Sequence, residues 1–114
     1  MNLGEKLARE YLAGQGLKFV AANYRMRIGE IDLIMEDGKY LVFIEVKFRT
    51  SERWGTALEQ VTAAKMQKIR RVAEAFLQNY DRFPGEVPYV RFDVIGISPA
   101  GAGYRFNWVK GAFE

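Results

Sequence analysis

Two carboxylates and a lysine stand in segments that ought to be buried. Asp32 lies within Gly29-Glu30-Ile31-Asp32-Leu33-Ile34, and Glu45 and Lys47 within Phe43-Ile44-Glu45-Val46-Lys47. Unpaired charge is costly to bury, so such groups pair with one another or hold a metal. An acid, a short spacer and then acid-x-Lys is the arrangement a metal-dependent phosphodiesterase needs. Asp32 and Glu45 would share a hard divalent cation, with the Val46 backbone carbonyl as a further ligand and waters completing the shell. The cation would polarise a phosphate and acidify an attacking water. Lys47 would position that water or stabilise the developing charge. The plainer reading is a lattice of ion pairs on a solvated hairpin face. Against it, Lys47 alone does not balance the acids, and Ile34, Leu41 and Phe43 share their face.

Composition narrows the chemistry further. The 114 residues include no cysteine and no histidine, which removes disulfides, thiolate nucleophiles, histidine acid–base catalysis and imidazole metal sites. Any metal is left to oxygen ligands, which favours Mg²⁺, Mn²⁺ or Ca²⁺. The length suits one domain, residues 1–114, large enough for a core but too small for two. A chain that is 49% hydrophobic and 14% aromatic is expected to fold. The balance of 17 basic against 14 acidic residues, net +3, is a weak pointer to a polyanionic partner. The start, Met1-Asn2-Leu3-Gly4-Glu5-Lys6, lacks the apolar run of a signal peptide, and no apolar stretch reaches spanning length. A cytoplasmic protein is expected.

The elements that would position these residues follow from periodicity. Leu3, Leu7, Tyr11 and Leu12 recur at helical spacing up to the stop at Gly14 and Gly16, and Asn2-x-x-Glu5 reads as a capping box. Strands are predicted at Leu17–Asn23, Gly29–Met35 and Tyr40–Phe48. Thr56-x-x-Glu59 reads as a second capping box, opening a long helix with Ile69, Val72, Ala73, Phe76, Leu77 and Tyr80 on one stripe. Val90–Ile97 and Tyr104–Val109 complete a second strand pair. The order is α-β-β-β-α-β-β, an α/β fold with a mixed five-stranded sheet flanked by helices. Asp37-Gly38 is a strong hairpin signal. With that dipeptide as the loop, Asp32 opposes Phe43 and Glu30 opposes Glu45. One face then carries Glu30, Asp32, Ile34, Leu41, Phe43, Glu45 and Lys47, and the other is wholly apolar from Ile31 to Phe48. Like charges directly opposite call for a compensating cation.

Taken together, Gly4-Glu5-x-x-Ala8, Asn23-x-Arg25, Gly29-Glu30-Ile31-Asp32-Leu33-Ile34, Phe43-Ile44-Glu45-Val46-Lys47-x-Arg49, Lys65 and Arg91-Phe92-Asp93-Val94 closely resemble the YraN family of bacterial proteins. That family looks like a branch of the restriction-endonuclease-like (PD-(D/E)xK) superfamily, most similar within it to archaeal Holliday-junction resolvases. The resemblance runs from Gly4 to about Ile97. It implies an endonuclease-like fold in which Asp32 and Glu45 bind Mg²⁺ or Mn²⁺, Lys47 is catalytic and Glu5 completes the acidic site. Ile31 replaces the proline of the superfamily's name, a common departure. Without the resemblance Glu5 reads as a helix cap, Glu30 as an acid behind the ligands or a partner of Arg27, and Asp93 as the structural partner of Arg91.

Basic residues surround the acids. Arg25 and Arg27 precede Asp32, Arg49, Arg53 and Trp54 follow Lys47, and Lys65, Lys68, Arg70 and Arg71 lie on the long helix. Of these, Arg25, Arg27, Arg49, Arg53, Lys65, Lys68 and Arg71 are candidates for binding a nucleic-acid backbone. Phe106, Trp108 and Phe113 read as core or interface. The leading expectation is a metal-dependent nuclease acting on DNA, with branched or damaged DNA as candidate substrates. A homodimer follows only from analogy with the resolvases. The alternatives are a non-catalytic nucleic-acid-binding protein on the same scaffold and a protein–protein adaptor using the aromatic C-terminal strand.

Overall fold

Apolar alternation in the central strands leaves both sheet faces needing cover, and one helix covers each. The computed structural model describes residues 1–49, 61–80 and 88–114. Its elements run α1 (Leu3–Gly14), β1 (Lys18–Met26), β2 (Gly29–Asp37), β3 (Tyr40–Phe48), α2 (Ala63–Gln78), β4 (Tyr89–Ala100) and β5 (Gly103–Phe113). The predicted element order and the mixed five-stranded sheet are both present. The strands lie in the order β1-β2-β3-β4-β5, antiparallel except for the parallel pair β3–β4. Among the described residues, no helix is long and apolar enough to cross a membrane.

Helix α2 packs Ile69, Val72 and Ala73 on Ile34, Leu41, Phe43 and Val94. On the opposite face α1 packs Ala8 and Leu12 on Leu33, Met35, Val42, Ile44, Ile95 and Ile97. Each of the larger side chains among them, Val, Leu, Ile, Phe or Met, contributes about 1.5–3 kcal/mol when fully buried. Leu7, Tyr11 and Leu12 of the predicted α1 stripe pack on this core, and the stripe departs from prediction at its start. Leu3 is exposed, while Gly4, Glu5, Ala8 and Leu12 face the sheet. Helix α2 is capped by Thr62, whose Oγ1 accepts from the Lys65 N–H at 3.2 Å. Its cap therefore lies six residues after the predicted one at Thr56, and Thr56 and Glu59 lie outside the described residues.

The hairpin also corrects a prediction. Asp37 pairs with Tyr40 and Ile34 with Phe43, so Gly38 and Lys39 form the turn, not Asp37 and Gly38. Gly38 takes φ +58° at the first turn position, where a type II′ turn requires glycine. Asp37 thus joins the strand, where Arg91 Nη2 donates to its Oδ2 at 2.9 Å. Because the pairing shifts by two, the residues on each face of β3 are unchanged. The partners change: Asp32 is one step beyond Leu33↔Ile44 and so faces Glu45 rather than Phe43.

Alternation fails once, at the acid. Ile31 packs on the α2 side with Ile34, whereas Leu33 packs on the α1 side. Ile31 therefore does not belong to the opposite face, as regular alternation had placed it. On β1 the break falls at Asn23, which has φ +51° and sits across from Asp32, between Ala22↔Leu33 and Tyr24↔Ile31. Asparagine tolerates this left-handed conformation better than most residues.

Candidate active site

Four elements bring charge to the point where β2 and β3 part. The regular ladder is recorded as far as Leu33↔Ile44. Beyond it, the Val46 N–H donates to Asp32 Oδ2 at 2.8 Å, so a side-chain carboxylate satisfies the backbone group. The strand ends diverge around the acids, and Asp32 and Glu45 share a hydrogen bond across the gap. Burial, and then the charge of Glu45, push the Asp32 carboxyl from an ordinary 3.8 up to about 7, although the Val46 N–H and Lys65 pull it down. Near neutrality this pair still holds a proton part of the time.

Two lysines answer Glu45, which is only 4% exposed. Lys65 Nζ lies 2.6 Å and Lys47 Nζ 3.6 Å from Glu45 Oε1. Burial and the neighbouring Lys65 lower the Lys47 ammonium below its usual range, against the pull of Glu45. Lys65 also loses to burial, but its hydrogen bond to Glu45 more than offsets this and holds it above the usual range. Helical spacing explains its reach: Lys65 precedes Ile69 by one turn on the buried stripe of α2. The residue expected to touch a nucleic-acid backbone therefore sits at the acid pair.

Glu5 arrives from the other face by the same rule, one turn before Ala8 on the buried stripe of α1. Its backbone N–H donates to the Asn2 side chain at 2.8 Å, so Asn2 caps the helix. The Glu5 carboxylate accepts from Asn23 Nδ2 at 2.6 Å. It lines a cavity of about 290 Å³ with Gly4, Asp32, Val46, Lys47 and Phe48. On the α2 side a second cavity, about 390 Å³, is bounded by Glu30, Asp32, Glu45, Lys65 and Lys68. Asp32 borders both.

Not every predicted residue converges. Glu30 borders the α2-side cavity but pairs with neither Glu45 nor Arg27; it accepts from Arg25 Nε at 2.6 Å. Arg27 and Arg71 are exposed and Arg49 is half-buried; Arg53 and Trp54 lie outside the described residues. Arg70 turns away, donating to the Glu114 carbonyl and lying 5.5 Å from the centre of the Phe113 ring. Asp93 is structural, as its Arg91 neighbour suggested. Fully buried, it accepts from Arg91 Nε and Nη2, Trp108 Nε1 and the Gly111 N–H, all within 3.0 Å. Among the described residues no group of three or more acids is gathered to hold a metal. The close pair is Asp32 and Glu45.

Sequence reasoning did not assign a role to Asn23, which orients Glu5. An asparagine in a strand, opposite the key acid, was the available signal. Nor did it place Lys65 at the acids, although a lysine on an apolar helical stripe marks a charge that faces inward.

Comparison with known proteins follows from the whole chain. A family model described as "Uncharacterised protein family UPF0102" matches residues 4–97. A UPF0102 protein of Vibrio campbellii is 41% identical over 113 residues, covering 99% of this chain and 90% of the relative. One from Legionella pneumophila strain Corby is 43% identical over 116 residues, covering 99% and 92%. One from Symbiobacterium thermophilum is 44% identical over 112 residues, covering 97% and 92%.

Proposed function

The chain belongs to the UPF0102 family, the YraN family of the resemblance, and from that premise we propose a divalent-metal-dependent nuclease of restriction-endonuclease-like fold. One observation carries the reading: Asp32, Glu45 and Lys47 converge where two paired strands separate. A structural ion pair has no need of two desolvated carboxyls facing each other, since replacing one would relieve the repulsion. The α-β-β-β-α-β-β order, with β3 and β4 parallel, supports the fold assignment.

The residues fit a hard cation. Every side-chain donor at the pair is oxygen, the two carboxyls are close enough to share a hydrogen bond, and an ammonium already contacts Glu45. Asp32 and Glu45 would hold Mg²⁺ or Mn²⁺, with the Val46 carbonyl beside them and Glu5 across the cavity. When bound, such an ion supplies Lewis-acid polarisation of a phosphate and a more acidic water. Lys47, which borders the same cavity, would stabilise charge that develops on the phosphate oxygens. Lys68 and Arg71 on α2, with Arg49 beyond β3, suit a DNA backbone approaching an otherwise anionic centre.

The test is incubation of linear, flapped, nicked and branched DNA with the protein and Mn²⁺, followed by EDTA. Cleavage that EDTA stops is expected. Lys47→Ala should cut turnover by roughly 10²-fold or more while leaving affinity within a few fold. A collapse of affinity instead makes Lys47 a phosphate anchor. The close Lys65–Glu45 contact favours one second reading, a non-catalytic binder whose acid is neutralised internally. Absence of any Mn²⁺ binding by calorimetry selects that reading.

A further inference from the structure

Most aromatic rings near the sheet are absorbed by packing: Phe106 stacks on Tyr11 at 4.3 Å and Phe113 on Phe92 at 5.0 Å. Phe48 and Tyr104 are not. They are 40% and 41% exposed, with ring centroids 6.0 Å apart and planes tilted by 60°. Both stand at one end of the sheet, Phe48 paired with Ile97 and Tyr104 with Pro99. The Arg49 N–H donates to the Ile97 carbonyl at 2.8 Å, so Phe48 is fixed in the sheet.

Phe48 is tied to the acidic site as well. It follows Lys47 directly and borders the cavity that also holds Glu5, Asp32 and Lys47. Gly4 makes the approach possible, because a Cβ there would meet the Phe48 Cβ at 3.1 Å. Removing that one methyl brings the first turn of α1, with Glu5, against the end of β3. A half-exposed aromatic pair whose Phe48 forms part of the wall of this cavity has the form of a platform for a flat ring. Bases offer such a ring only when they are unpaired.

We infer that Phe48 and Tyr104 stack an unpaired nucleobase flanking the phosphate held at Asp32, Glu45 and Lys47. This rests on the nuclease reading and narrows its substrate to nucleic acid that is single-stranded or frayed beside the reacting phosphate. The occupant follows from continuity with the cavity: a strand whose phosphate enters it must carry its adjacent base past the rim. Lys47 and Arg49, on either side of Phe48 in sequence, supply the matching charge for the backbone.

The experiment measures anisotropy of a labelled 20-nucleotide single strand, its blunt duplex and an abasic version of the strand, with Ca²⁺ in place of Mn²⁺ so that a hard cation is present while cleavage is suppressed. Phe48→Ala and Tyr104→Ala should each weaken single-strand binding by roughly 5- to 100-fold, the range for losing one base–aromatic stack. Duplex binding should change less than twofold, and Phe48→Tyr and Tyr104→Phe should restore the wild-type value. Abasic substitution should reproduce the loss with the unaltered protein, which removes any dependence on variant folding. Equal losses on strand and duplex, or no loss from the abasic strand, overturn the platform but leave the nuclease reading standing. Dissociation of a wild-type dimer by Phe48→Ala, measured by sedimentation, also overturns it, because a second copy then covers the pair. If the wild type binds no nucleic acid, both readings fall together.

Discussion

At the residue scale the site is governed by the proton on Asp32. Its carboxyl titrates near 3.8 in an unfolded chain and at about 7 here, raised by burial and by Glu45. Between those values the unfolded chain has released a proton that the folded chain keeps. Stability must therefore fall as pH rises through that window and level off above it. Metal-free thermal unfolding should show Tm dropping from about pH 5 to about pH 8, beyond the drift of an Asp32→Asn control. The amide in that control cannot ionise, so the variant should be the more stable of the two at the upper pH. A wild type that tracks the variant across the range would rule out a desolvated Asp32. Glu5 makes a separate case, because a glutamine there keeps an oxygen to accept from Asn23 Nδ2 but carries no charge. Glu5→Gln should leave Tm nearly unchanged and lower Mn²⁺ affinity by roughly 10- to 100-fold, the scale of losing a supporting group at a metal site. Unaltered calorimetry would return Glu5 to a packing role.

At the element scale each helix places one charged residue on its apolar stripe, one turn from its start: Glu5 on α1 and Lys65 on α2. Since they come from opposite faces, they reach Asp32 and Glu45 without competing for space. Lys65 sits on Glu45, so Lys65→Met should raise Mn²⁺ affinity by removing a rival cation. Neutralising Lys68 and Arg71 together should instead flatten the salt dependence of DNA binding, by about one log–log unit per lost phosphate contact. Titrations at several salt concentrations separate the two effects, and an unchanged slope places DNA on another face. The order of elements was legible because strand alternation and helical spacing are local patterns. Asp32, Glu45 and Lys47 stood out for the same reason, as charges inside apolar strands. The hairpin was misplaced by one residue because Asp-Gly does not say which turn position the glycine takes. Parity on β3 survived that shift, so Glu45 kept its face, whereas the break in alternation left Asp32 bordering the cavities on both sides. The Glu45–Lys65 and Glu5–Asn23 contacts join residues about 20 apart in sequence and depend on how helix and sheet meet, which no local pattern encodes.

On the scale of the whole molecule, the buried charge of the described residues is concentrated in two networks of opposite character. Arg91, Asp93 and Asp37 form a closed one, in which Asp93 has four donors and the Arg91 guanidinium spans two carboxylates. The acid pair is open, with mutual repulsion relieved by a proton and by Lys65. Closed networks lend stability when intact, whereas open ones gain it from a ligand. Because α1, β1, β2, β3 and α2 all meet at the acids, a cation bound there should stabilise the chain as one cooperative unit. At 100 times Kd the linkage adds about 2.7 kcal/mol, or roughly 10 °C in Tm for a domain of this size. Asp93→Asn supplies the control: it breaks the closed network, at a cost of about 3 kcal/mol or more, without touching the acids. Its Tm should start lower yet rise by a similar increment with Mn²⁺, while Asp32→Asn should start no lower than the wild type and not rise at all. Calorimetric scans of the three proteins with and without Mn²⁺ decide the matter. A wild type with no Mn²⁺ increment, or an increment that Asp32→Asn retains and Asp93→Asn loses, would move the metal away from Asp32 and Glu45.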